Sequence, residues 1–378
     1  MRVAMMGLRA IGQGSGGVEK AVEEISRRLA ARGHAVTVFC RARYNPGGAA
    51  AFEGVRLVNL PALYSKHLEA ITHTFLAACR ALRGYDVVHI HATGPSMLAF
   101  LPRLAGRRTV VTVHGLDWKR EKWGAAAKLF LRLGAWTAGA FPHRTIVVSR
   151  ELQAFYRERY GRETVYIPNG VAPGTRRPLD RLRRFGVRGD DYLLFLGRIV
   201  PEKGAHLLIE AFRATPGDLK LLIVGGASHS EDYLSRLRAL ADGDPRIVFT
   251  GPLYGAEKEE VFSNARALVF PSTLEGMPLV LLEAMEFGCP VLCSDIPENL
   301  EVVRPDGAPG GELAALFPAG SAAALRDALP AFLSAPDAAR ARAAKAAEYA
   351  ARTFDWDRIA AATEAVYREL LGPAGGRS

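Results

Sequence analysis

Thirteen short runs of β-branched and apolar residues, each followed by a helical pattern, constrain this chain more than any other feature. The first series covers 2–8, 35–40, 55–60, 87–92, 109–114, 145–149 and 165–168; the second covers 192–197, 219–225, 247–251, 268–272, 290–294 and 315–318. Strands that are apolar along their whole length must be covered on both faces. Helices alternate with them, so parallel sheets with helices on each side are expected. Two series give an α/β chain of two doubly wound, Rossmann-like domains. The first is expected over 1–168 and the second over 191–354. Between them, 169–190 holds Asn-Gly, Pro173, Gly174, Pro178 and a basic cluster without a strand pattern, and reads as a linker. The stretch 355–371 reads as a terminal helix.

A chain of 378 residues is long enough for two full cores. Its charge is uneven. Residues 1–170 carry 25 Lys and Arg against 11 Asp and Glu, whereas the remainder carries 24 against 28. A basic half beside a mildly acidic one points the first half toward an anionic partner, such as a bilayer surface or a diphosphate-linked acceptor. No run approaches the roughly 18 uncharged apolar residues of a spanning helix, and the opening run is too short for a signal-peptide core. Cys40, Cys79, Cys289 and Cys293 read as buried thiols in a reducing cytosol. The C-x-x-x-C spacing of the last two lacks further ligands for a zinc site.

The motifs fall at the carboxyl ends of expected strands, where open α/β sheets bind ligands. Gly12-Gln-Gly14-Ser-Gly16-Gly17 follows the first strand and opens a helix. Gly16 and Gly17 let backbone approach a phosphate at that helix start. The same residues satisfy G-x-G-x-x-G, but the second strand ends in Arg41 where a dinucleotide site wants an acid. Arg41 would instead favour a 2′-phosphate, so an NADP- or nucleotide-sugar-dependent oxidoreductase or epimerase is the main rival reading. In the second half, Arg198 and Lys203 follow the first strand and could neutralise a diphosphate without a metal.

Glu275-Gly-Met-Pro-Leu-Val-Leu-Leu-Glu283 places two carboxylates eight residues apart beside an apolar run. Burying either costs several kcal/mol unless it is compensated, so both need partners. If the stretch is mostly helical they stand up to ~12 Å apart. That is too wide for a glycosidase acid/base pair at roughly 5–9.5 Å and suits two ends of an elongated ligand. Pro278 is expected near the first helical turn, leaving the amides of Gly276, Met277 and Leu279 pointing at a ligand.

Two further patterns read as structural. Asp355-Trp356-Asp357 spells D-x-D but opens a helix, where an acidic cap is the ordinary explanation. His89 and His91 alternate along a buried strand and so face one side; they read as packing, with an acceptor contact at His91.

Together these residues resemble glycosyltransferase family 4, retaining enzymes of the GT-B fold. The likeness rests on E-x7-E at Glu275 and Glu283, Gly16-Gly17, His114-Gly115, Pro168-Asn-Gly-Val171, Arg198 with Lys203, and Phe270-Pro-Ser-Thr-Leu-Glu-Gly276. It runs over nearly the whole chain. Gly7-Leu-Arg9, Gly16-Gly-Val-Glu19 and His114-Gly-Leu-Asp-Trp118 are similar to bacterial members that build cell-surface polysaccharides. The resemblance implies that Glu283 binds the donor's ribose hydroxyls, Glu275 meets the donor sugar, and Arg198 and Lys203 hold the diphosphate. Backbone at Gly251-Pro-Leu253 would contact the base, and His114 would reach the donor sugar or its phosphate. It also implies that the last helix packs back on the first domain.

The expectation is a cytoplasmic enzyme, peripheral to the inner face of a membrane. It would move a hexosyl or deoxyhexosyl unit from a nucleotide diphosphate sugar to a glycan or lipid-linked acceptor, with retention and no metal or other cofactor. Lys119, Arg120, Lys122 and Trp123 alternate charge and aromatic character and are expected to meet the acceptor. A nucleic-acid binder would explain the charge but leaves the two glutamates without a role.

Overall fold

The structure, a computed structural model, describes residues 1–12, 16–65, 68–120, 123–227, 230–305, 307 and 310–372. The chain divides into two units, Met1–Gly170 with Trp356–Ser378, and Val171–Asp355. Each is an α/β body of its own.

The first unit contains β1 (Arg2–Met6), β2 (Ala35–Arg41), β3 (Ala51–Phe52), β4 (Val55–Leu60), β5 (Val87–His91), β6 (Arg108–Val113), β7 (Arg144–Val147) and β8 (Val165–Tyr166). They form one sheet in the order β3-β4-β2-β1-β5-β6-β7-β8. Every pairing is parallel except β3 with β4. Five of the seven expected runs end one or two residues late because apolar character continues past the last ladder bond, whereas 55–60 matches β4 and 35–40 stops one residue short of β2. The two-residue β3 has too little pattern to be read from sequence. Helices α1 (Gly17–Ala31), α2 (Glu69–Ala81), α3 (Thr93–Ser96), α4 (Phe100–Leu104), α5 (Ala125–Ala140) and α6 (Arg150–Tyr160) connect the strands. The C-terminal helix Trp356–Leu371 packs against α1, with Arg28 Nε on Asp357 Oδ1 at 3.1 Å and Arg32 Nη1 on Glu364 Oε2 at 3.1 Å. Trp356 is fully buried at its start, so the D-x-D pattern is split between a packed tryptophan and a surface ion pair.

The second unit contains β9 (Tyr192–Leu196), β10 (Lys220–Val224), β11 (Ile247–Gly251), β12 (Ala267–Phe270), β13 (Val291–Ser294) and β14 (Ala315–Phe317), ordered β11-β10-β9-β12-β13-β14 and all parallel. Its helices are α7 (Ala205–Arg213), α8 (Glu231–Ala241), α9 (Gly255–Asn264), α10 (Leu279–Glu286), α11 (Pro297–Val303), α12 (Ala322–Leu333) and α13 (Pro336–Thr353). Leu193, Phe195, Ile209, Phe212, Ile223, Val269, Leu325 and Leu329 share one core between the sheet and its helices.

The expected linker at 169–190 needs correcting. Residues from Val171 onward belong to the second unit. Val171 N donates to Phe354 O at 2.8 Å, and the buried Glu260 accepts from Asp180 N at 2.6 Å and Leu182 N at 2.9 Å. A carboxylate about eighty residues downstream thus holds this stretch, a partner that local composition does not reveal.

Candidate functional site

In each sheet the strand order reverses at one place, between β1 and β5 in the first unit and between β9 and β12 in the second. Chains leaving neighbouring strands there part in opposite directions and open a crevice at the carboxyl ends. The second unit puts Arg198 two residues past β9 and Glu275 five past β12, on the two sides of that crevice.

After β9 the chain turns through a short 3-10 segment, Pro201–Lys203, into α7. Gly204 makes the join at φ 70°, and a Cβ there would collide with the carbonyl oxygen of Pro271. The Arg198–Lys203 turn is thereby pressed against the segment after β12. Glu202 O accepts from Thr273 N at 2.9 Å and from Ser272 Oγ at 3.2 Å. Ser294 Oγ in turn donates to Ser272 O at 2.5 Å and receives Asn299 Nδ2 at 3.0 Å. This buried chain of hydrogen bonds fixes two loops that carry charge.

Lys203 and Glu275 meet across those loops as an ion pair, with side chains 13% and 8% exposed, and the ammonium also lies 5.6 Å from the centre of the Phe270 ring. Lys203 therefore contacts Glu275 directly, where the sequence suggested only a diphosphate ligand. Glu283 has a lysine of its own: Lys258 Nζ, from α9, donates to Glu283 Oε1 at 2.6 Å. Glu283 Oε2 is buried and has no hydrogen-bond partner. Lys258 escaped the sequence reading because Lys in the charge-rich segment Gly255–Asn264 looks like ordinary surface.

Between the two carboxylates, Pro278 is the N-cap and α10 begins at Leu279. Glu275 to Pro278 is thus not helical, and the extended-helix spacing does not apply to the first half of the stretch. The amides of Gly276, Leu279 and Val280 donate to no acceptor among the described residues. Met277 is buried beside them, and Leu253 is buried in the turn after β11, two residues past Gly251.

In the first unit, Gly16 is the N-cap of α1 at φ 71° and Gly17 its first residue; Gln13, Gly14 and Ser15 lie outside the described residues. Glu19 stands at this helix start, its Oε1 accepting Arg9 N at 3.2 Å and its Oε2 lying where a Gly16 side chain would go. An internal carboxylate thus already occupies the helix start to which the sequence assigned a phosphate. Arg41, offered as a 2′-phosphate ligand, is 7% exposed and pairs with Glu69 Oε1 at 3.2 Å, which weakens the dinucleotide reading.

His114 is half-buried just past β6. Its Nε2 lies 3.2 Å from His91 Nδ1, and burial lowers the His114 pKa to about 4 despite nearby Asp117. His89 and His91 are both fully buried, so no acceptor can touch His91. Among the acceptor-side residues, Arg120 pairs with Asp117 at 3.0 Å and Lys119 is exposed, while Lys122 is outside the described residues.

Of the four cysteines, Cys40, Cys289 and Cys293 are buried and reduced, but Cys79 is exposed on α2, against expectation. Burial raises the Cys289 and Cys293 thiols to about 12, so neither is a nucleophile at neutral pH. Among the described residues no cluster of three metal-ligating side chains occurs and no helix is long and apolar enough to cross a membrane.

Paired basic and acidic side chains and helix-start amides without an acceptor among the described residues thus gather at the switch point of one of two doubly wound units. Residues 15–174 match Glycosyltransferase Family 4 and residues 183–351 match Glycosyl transferases group 1. The chain belongs to glycosyltransferase family 4 and has its GT-B fold. It is 32% identical to phosphatidyl-myo-inositol mannosyltransferase of Mycobacterium leprae over 78% of this chain and 75% of that protein. Among solved structures, sucrose-phosphate synthase from Thermosynechococcus elongatus superposes with a TM-score of 0.81 at 23% identity, covering 98% of both chains. Anabaena HepE in complex with UDP-glucose gives 0.78 at 20% identity over 97% of this chain and 99% of that one.

Proposed function

We propose that this glycosyltransferase moves a hexosyl or deoxyhexosyl unit from a nucleotide diphosphate sugar to a glycan or lipid-linked acceptor, with retention and without a metal or other cofactor, in cell-surface polysaccharide or glycolipid synthesis. The observation that carries the donor assignment is Glu283. Its Oε1 is fixed by Lys258 while its buried Oε2 lacks a partner, which suits a carboxylate awaiting a hydroxyl donor such as ribose. The HepE complex with UDP-glucose supports a nucleotide-sugar donor by fold analogy.

In this reading the amides of Gly276 and Leu279, with Arg198, receive the diphosphate, backbone beside Leu253 and Met277 meets the nucleoside, and Glu275 meets the sugar. Lys203 serves both the diphosphate and Glu275, so donor binding redistributes an ion pair that is already in place. The bond from the anomeric carbon to the β-phosphate oxygen breaks and the acceptor oxygen bonds to that carbon on the same face. The departing phosphate takes the acceptor's proton. Arg198 and Lys203 stabilise the charge that develops on it. His114 of the first unit is the remaining candidate contact to the donor, whereas Gly16 and Gly17 shape the start of α1.

The acceptor side is the basic first unit. Of the twelve large apolar side chains that are exposed among the described residues, eleven lie there. Leu129, Leu133 and Trp136 share one face of α5, and Phe141 joins Trp136 (5.7 Å between rings) to Phe100 of α4 (5.9 Å), whose Leu104 is 82% exposed. Arg103, Lys128 and Arg132 flank this face. An apolar patch rimmed by positive charge fits the inner, anionic face of a membrane, where a lipid-linked acceptor is held and the enzyme is cytoplasmic. The donor assignment is tested by thermal shift against UDP, GDP and ADP and their sugars. One nucleotide must raise Tm in the wild type and do so less in Glu283→Ala.

A further inference from the structure

We propose that His91 sets the tautomer of His114, holding the His114 proton on Nδ1 so that the ring offers an N–H donor to a ligand oxygen. In the proposed function this makes His91 a positioning residue for a donor contact. The tautomer itself follows from the first unit alone.

His91 cannot turn. Its ring lies against that of His89, tilted by 31° with centroids 4.1 Å apart. His89 is in turn pinned at both nitrogens, by Tyr367 Oη on Nδ1 at 2.6 Å and by Thr112 Oγ1 on Nε2 at 2.7 Å. The C-terminal helix, which carries Tyr367, therefore fixes the His89 ring on which His91 packs. Among the described residues the His91 ring has one hydrogen-bond partner, His114 Nε2, at 3.2 Å from its Nδ1, while its own Nε2 is buried without a partner.

Two neutral arrangements satisfy that contact. If His114 donates from Nε2, His91 must carry its proton on Nε2, leaving an N–H sealed in the interior without an acceptor. If His91 donates from Nδ1, its Nε2 is a bare lone pair. A stranded buried donor is the rarer and costlier outcome, since an unpaired acceptor is tolerated somewhat more often. The second arrangement wins and makes His114 Nε2 an acceptor. Its proton then sits on Nδ1, which has no partner among the described residues and is not among the sealed polar atoms. Burial, with the neighbouring rings adding to it, also keeps His91 neutral well below its ordinary range. The contact is thus one between neutral rings, and His114 acts as a hydrogen-bond donor and not as an imidazolium acid.

Nitrogen-15 spectra of histidine-labelled protein at neutral pH, with His114 assigned through His114→Gln, read this directly. The expected wild-type spectrum shows His114 protonated on Nδ1 and bare on Nε2. His91→Asn, whose amide nitrogen stands where Nδ1 stood and can donate, should keep that spectrum and keep kcat/KM for nucleoside diphosphate release within about threefold. His91→Leu should move the His114 proton partly to Nε2 and lower kcat/KM about tenfold. A wild-type His114 protonated on Nε2 overturns the proposal, as does an unchanged His114 tautomer in a folded His91→Leu. The wild-type spectrum decides alone if that variant does not fold. The expected spectrum together with full turnover by His114→Gln would remove His114 from the proposed function and leave the tautomer assignment standing.

Discussion

Lys258 Nζ donates to Glu283 Oε1 at 2.6 Å, so a half-buried carboxylate of α10 is held by a lysine from α9 with its second oxygen left unsatisfied. The pair leaves one acceptor free and fixes where it points. A nucleotide with both ribose hydroxyls should therefore bind more tightly than its 2′-deoxy or 3′-deoxy analogue, by about tenfold for a hydrogen bond to a charged group. Glu283→Ala should abolish that discrimination. Lys258→Met should weaken the ribonucleotide several-fold, and the double variant should lose less than the sum because the two act as one unit. Calorimetric titration of the four proteins with the ribo- and deoxynucleotides checks all of this.

Gly204 joins the Lys203 turn to α7 at φ 70°, against the Pro271 carbonyl. An alanine there meets both an unfavourable backbone region and a backbone oxygen that cannot move aside cheaply. Gly204→Ala should cost about 2 kcal/mol or more in urea unfolding. It should also lower kcat/KM more than Ala211→Gly, a change of similar size on the buried side of the same helix.

Glu364 makes the first unit acid-sensitive. Burial alone would raise its carboxyl, but hydrogen bonds from Arg368, His34 and Arg32 outweigh it and hold the pKa down at about 2. A depressed acid contributes stability that is present above its unfolded value, near 4.3, and is lost as pH falls toward 2. Glu364→Gln should therefore destabilise the protein by about 1–2 kcal/mol at pH 7, since solvent screens its partly exposed arginine partners. The gap to wild type should close between about pH 4.3 and 2, in urea melts across that range.

The α5 face gives a separate outcome. Wild-type protein should sediment with vesicles containing phosphatidylglycerol and not with pure phosphatidylcholine, and more weakly as salt rises. Leu133→Glu with Trp136→Glu should abolish sedimentation without lowering Tm, because both side chains are about half exposed at 48% and 49%. Equal binding by the double variant would remove this face from the account.

Much of this was legible in the residues, for physical reasons that differ by element. The strand runs announce themselves because a parallel strand covered on both faces has to be apolar throughout, and 55–60 and 247–251 were delimited to the residue. The acidic pair stood out because buried carboxylates beside Leu and Val are costly. The missing parts all depend on distant partners. Lys258 is ordinary in its own helix until Glu283 faces it, and 171–190 looks like a linker until Glu260 caps its amides. His91 reads from sequence as packing with an acceptor contact, and the ladder to β6 and the ring of His89 leave it fully buried.

The central claim is that the second unit's acidic and basic pairs handle a nucleotide diphosphate sugar. Its most direct test is the rate of nucleoside diphosphate release from a panel of UDP-, GDP- and ADP-sugars by wild type and by Glu275→Ala. At least one donor should be turned over by the wild type, and Glu275→Ala, assayed below its Tm, should lower kcat about a hundredfold or more. Full turnover by Glu275→Ala, or no release from any donor in the presence of membrane extract as acceptor, would contradict it.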